Sequence, residues 1–86
     1  MDKKIKDIIK KVRAIYKYDD RFKSLVSMHP TVKLEENANG DLVLKNIDWQ
    51  WYDSLYISST GITYSPEHGN SKELITYNNW NELLEL

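Results

Sequence analysis

Thr31-Val32-Lys33-Leu34-Glu35-Glu36-Asn37-Ala38-Asn39-Gly40-Asp41-Leu42-Val43-Leu44-Lys45-Asn46 alternates apolar and polar side chains on either side of a turn-forming tetrapeptide. Two strands follow from that pattern, over residues 31–36 and 41–46. The turn decides how they pair. A two-residue Asn-Gly turn would set Leu34 against Lys45 and Glu35 against Leu44, mixing apolar and charged groups on both faces. A three-residue loop, Ala38-Asn39-Gly40, instead pairs Leu34 with Leu44 and Glu36 with Leu42. Val32, Leu34, Leu42 and Leu44 then share one face. A slip of one residue turns apolar side chains to water, so the three-residue loop is expected, with Gly40 in the left-handed conformation. A hairpin with one apolar face needs a cover.

Upstream lies that cover. Ile5, Ile8, Ile9, Val12, Ile15 and Tyr16 recur three and four residues apart, the spacing of a helix with one apolar stripe. Neither Gly nor Pro interrupts residues 2–29, and a helix is predicted over residues 2–18. Asp19-Asp20 is suited to cap or bend the chain. Phe22, Leu25, Val26 and Met28 form a second, shorter stripe, and Pro30 disfavours helix at His29. Downstream, residues 49–57 continue the alternation. Trp49, Trp51, Leu55 and Ile57 are expected inward, with Tyr52 and Tyr56 on the other side. Residues 58–61 turn the chain, 62–64 return it, 65–71 form a loop and 73–77 a last strand. Asn78 or Asn79 then caps a short helix with Trp80, Leu83 and Leu84 facing inward. The expected fold is α+β: an N-terminal amphipathic helix with a short helical extension, an antiparallel sheet of four to five strands, and a short C-terminal helix, with the helices on one sheet face.

The 86 residues make a single domain, 1–86, too small for a second core. Without cysteine there are no disulfides, thiolate metal sites or cysteine nucleophiles. No apolar run approaches the roughly 20 residues of a membrane span, and the charged start, Met1-Asp2-Lys3-Lys4, is unlike a secretory leader. A cytoplasmic location is expected. Abundant Lys, Ile, Asn and Tyr beside scarce Ala, Gly, Pro and Arg point to a low-GC bacterial or phage gene. The net charge of −1 hides a split: residues 1–23 carry nine bases and four acids, while residues 24–86 carry three bases and nine acids. Such asymmetry bears on partners.

Little in the sequence points to catalysis. His29 and His68 stand in no metal-ligand spacing, the three glycines are turn residues, and no serine sits in a nucleophile elbow. Asp48 and Asp53 are expected on opposite faces of one continuous strand, which would keep them from acting as a pair. No catalytic residue, metal or cofactor is expected, and the chain reads as a non-enzymatic binding module. The basic helix is a possible nucleic-acid surface through Lys3, Lys4, Lys6, Lys10, Lys11 and Lys17, although these lysines read as ringing much of its polar face. The aromatic strand region offers a protein-binding surface through Tyr52, Tyr56 and Tyr77, with Glu35, Asp53 and Glu67 as acidic companions.

In size, composition and layout the chain resembles the small accessory proteins of low-GC phages and mobile elements, including anti-CRISPR and other anti-defence inhibitors. The resemblance implies an inhibitor or modulator whose partner is another protein. Inhibitors of this kind often occupy a nucleic-acid channel with acidic side chains, for which Glu35, Glu36, Asp41, Asp48, Asp53, Glu67 and Glu73 are candidates. Two other roles fit the same sequence: a nucleic-acid-binding or transcription-modulating protein acting through the first helix, and an immunity or antitoxin protein.

Overall fold

Residues 2–27, 29–48 and 52–86 are described by a computed structural model of the chain. Helix α1, Lys3–Ile15, starts where the Asp2 carboxylate accepts the Lys4 amide at 2.7 Å. It ends earlier than the apolar spacing predicts. Tyr16 is its C-cap, and the Asp19 amide closes a turn onto the Tyr16 carbonyl at 3.1 Å. Asp19 bends the chain and caps nothing: its carboxylate accepts both the amide and the guanidinium of Arg21, the latter at 2.8 Å. Phe22 is the N-cap of the four-residue α2, Lys23–Val26.

The strands are β1 (Val32–Glu36), β2 (Leu42–Asn46), β3 (Ser54–Ile57), β4 (Gly61–Ser65) and β5 (Lys72–Thr76), followed by α3 (Trp80–Leu84). They form one antiparallel meander in the order β1-β2-β3-β4-β5. The first hairpin has the three-residue register: Leu34 faces Leu44, Glu36 faces Leu42, and Gly40 sits at φ 83°. Asn37 holds the loop, its side-chain oxygen accepting the amides of Asn39 and Asp41, each at 3.0 Å. Strand β3 is shorter than residues 49–57 suggest and begins at Ser54; the inward expectations for Trp49 and Trp51, and the apolar role given to Met28, fall outside the described residues. Between β4 and β5 the register slips at Ile62/Thr63, so Leu74 is an extra residue on β5. Both Leu74 and Ile75 consequently reach the edge of the core.

One face of the sheet is covered by the helices. Ile8, Ile9, Val12 and Tyr16 of the first helical segment join Phe22, Leu25 and Val26 over Val32, Leu42, Leu44, Leu55, Ile57 and Ile62, with Leu83 closing one end. Phe22 is fully buried, with Tyr16 and Tyr64 set edge-on to it at centroid distances of 5.2 and 4.8 Å. In α3, Asn79 caps by accepting the Glu82 amide at 3.0 Å, and Glu82 reaches back to accept the Asn78 amide. Leu83 is buried and Trp80 half-buried as expected, but Leu84 is exposed, because a five-residue helix has one turn to offer the core.

Candidate functional site

The antiparallel registers place Glu35, Val43, Tyr56, Thr63 and Glu73 in one row across all five strands, on the side away from the helices. Cross-strand neighbours in such a row touch. Val43 is only 6% exposed yet stands outside the core cluster, while Tyr56 beside it is 44% exposed. The row thus has an aliphatic–aromatic centre with a carboxylate on each edge strand. Lys33 and Lys45 face one another in the next row, and Lys45 reaches Glu35 at 3.4 Å. Tyr52, 50% exposed, lies two residues before β3.

The other protein-binding candidates go elsewhere. Tyr77 packs against the core, donates its hydroxyl to the Ser58 carbonyl, and has its pKa pushed up to about 12 by burial. Glu67 is in the β4–β5 loop, 3.9 Å from His68. Asp53 lies immediately before β3, where its carboxylate accepts the Tyr64 hydroxyl at 3.3 Å. Burial raises the Asp53 pKa, with the Tyr64 bond opposing, and burial raises that of Tyr64 as well. Asp53 lines a cavity of about 550 Å³ together with Arg21, His29, Asn46, Asp48 and Tyr64. Asp48 and Asp53 therefore share one cavity. The expectation that a continuous strand separates them fails because β2 ends at Asn46 and β3 begins at Ser54. His29 is engaged there through Nδ1 with the Thr31 hydroxyl at 3.0 Å. Among the described residues no group of three or more acidic or histidine side chains is placed to hold a metal ion.

The basic residues divide into two sets. Lys4 lies over the Trp80 ring at 5.5 Å, and Lys11 donates to the Leu86 carbonyl, so both face α3. Lys3, Lys6, Lys10, Arg13 and Lys17 follow one another at intervals of three and four residues and are all exposed. They form one stripe rather than a ring around the helix. None of the five enters an ion pair among the described residues. The stripe runs into a groove of about 490 Å³ between the end of α1 and α2, lined by Arg13, Lys17 and Lys23 together with Ala14, Val26 and Tyr18. Tyr18 is 87% exposed and carries Lys17 over its ring at 5.3 Å.

No protein-family model matches the chain, and no curated protein or solved structure shows significant similarity to it. No helix among the described residues is long and apolar enough to cross a membrane. The acids named as channel-filling candidates lie in separate places: Glu35 and Glu73 in the sheet row, Glu36 and Asp41 beside the hairpin loop, Asp48 and Asp53 in the cavity, and Glu67 in a loop. Sequence reasoning missed Arg13, Tyr18 and Lys23. Sorting the bases by helical position, rather than counting them, brings out the stripe that leads to them.

Proposed function

We propose that the protein is a non-enzymatic binding module that engages another protein through the open face of its sheet, as a small cytoplasmic inhibitor or modulator encoded by a phage or mobile element. The observation that carries this reading is the row Glu35–Val43–Tyr56–Thr63–Glu73, with the exposed Tyr56 near its centre and a carboxylate at each end, on the side of the sheet away from the described helices. Tyrosine brings large contact area with few rotatable bonds and a hydrogen-bonding tip, which is why it recurs in binding hot spots. A sheet backed by a packed core fixes the backbone that carries such side chains, which lowers the ordering cost of binding and favours affinity. The carboxylates at the edges suit a partner surface with an apolar centre flanked by basic groups.

The test compares variants in capture from a native host lysate. Tyr56→Ala and Tyr52→Ala should fold, because both rings are exposed, and should lose a partner that the parent protein retains. Lys6→Glu and Lys10→Glu should retain it. Retention by the tyrosine variants with loss by the lysine variants reverses the assignment of surfaces and rejects the proposal.

A further inference from the structure

A second surface, on the opposite side of the molecule from the open sheet face, carries an inference independent of the first. We infer that the stripe Lys3, Lys6, Lys10, Arg13 and Lys17, together with Lys23 and Tyr18 at its end, is a binding track for single-stranded nucleic acid. Three observations point there. Lys3, Lys6, Lys10 and Arg13 lie exposed along about 15 Å of helical rise, and Lys17 continues their line in the turn after α1, enough to follow a phosphodiester backbone. No ion pair among the described residues involves them or Lys23. The stripe also ends at a groove lined by Ala14, Val26 and Tyr18, the most exposed aromatic residue among the described residues.

This combination separates a single strand from the other polyanions. Lysines on a helix neutralise phosphates in any nucleic acid. An exposed ring adds affinity only when a base can leave its neighbours and stack on it, which a closed duplex does not offer. Lys17 covers one face of Tyr18 and leaves the other open to a base. With Arg13 the only arginine in the stripe, base edges have little to read them, so binding should depend weakly on sequence.

Fluorescence anisotropy with labelled fifteen-nucleotide oligo-dT, the corresponding duplex and a poly-glutamate peptide of matched charge tests the inference. Binding to the single strand is expected, with log K falling against log salt at a slope of about −4 for six contacts. Between 50 and 200 mM salt that amounts to a loss of more than a hundredfold, again roughly. Tyr18→Ala should weaken the single-strand complex about tenfold or more and Tyr18→Trp should restore it. Lys10→Glu with Arg13→Glu should flatten the slope, while Tyr56→Ala leaves the titration unchanged, so this result stands or falls apart from the sheet-face reading. Thermal melts of each variant exclude misfolding as the cause. No binding at 50 mM salt, equal or tighter binding of the duplex or the peptide, or indifference to Tyr18→Ala would each overturn the proposal.

Discussion

Two side chains, Tyr16 in the core and the partly buried Asp53, carry polar atoms in costly positions, and each makes a prediction of its own. The hydroxyl of Tyr16 is buried with no hydrogen-bond partner among the described residues, and burial pushes its pKa up to about 12. A buried donor left unmade costs about 1–3 kcal/mol, while the ring itself packs on Phe22. Tyr16→Phe keeps the ring and removes the cost, so its melting temperature should rise by a few degrees; a clear fall would mean that the hydroxyl has a partner in solution. Asp53 is the second case. One carboxylate oxygen is buried with no hydrogen-bond partner among the described residues, and burial raises its pKa from 3.8. Below pH 3.8 folded and unfolded chains are both protonated there, and the group's stabilising effect is complete. As pH rises from that value through the folded-state pKa, the unfolded chain ionises first and that stability is lost. Asp53→Asn keeps an acceptor for Tyr64 and should melt no lower than the parent at pH 7, with its relative advantage gone at pH 3. A variant that melts lower at pH 7 would show the carboxylate to be favourably solvated.

At the level of elements, the turns dictate which strands can meet. A β-carbon on Gly61 would fall 2.8 Å from the Ile75 carbonyl oxygen, at the point where β4 closes on β5. Backbone oxygen cannot step aside as a flexible side chain can, so Gly61→Ala must spread the β4–β5 pair. Gly40 has open space around it but φ +83°, and Gly40→Ala should cost about 1–2 kcal/mol through the left-handed backbone alone. In denaturant melts both variants should be less stable. Amide exchange should separate them, with protection lost in β5 for the Gly61 change and in the 37–41 loop for the Gly40 change. The Gly40 position was legible in sequence because only one hairpin register keeps Leu34 and Leu44 on the same face as Val32 and Leu42. Gly61 read only as a turn residue, since close backbone approach leaves no mark on local pattern. The same contrast runs through the candidate surfaces. Tyr56 was placed by strand alternation, a local rule. The joining of Asp48 to Asp53, and of Tyr18 to Lys23, depends on where strands and helices stop, and apolar spacing carried the first helix to residue 18 when Tyr16 ends it.

Across the whole molecule, one core ties both surfaces together. Ile8 and Val12 from α1, Phe22 and Leu25 around α2, Leu44, Leu55 and Ile62 from three strands, and Leu83 from α3 belong to a single buried cluster. A domain of this length has about 4–13 kcal/mol of stability in all, so a helix released from this shared core would take much of that stability with it. Phe22 is the sharpest probe. It is fully buried, meets Tyr16 and Tyr64 edge-on, and carries the Arg21 guanidinium 4.7 Å from its ring. Replacing it by alanine should cost about 3–5 kcal/mol, and at about 4–8 °C per kcal/mol for a domain of this size the melting temperature should drop by more than about 10 °C. Because the ring joins the helical segment to β4, helix signal in the far ultraviolet and tryptophan fluorescence should still fall together in one transition. If the helix signal melts first while the fluorescence persists, α1 and α2 form a separate unit, and the basic track and the sheet face belong to bodies that fold independently.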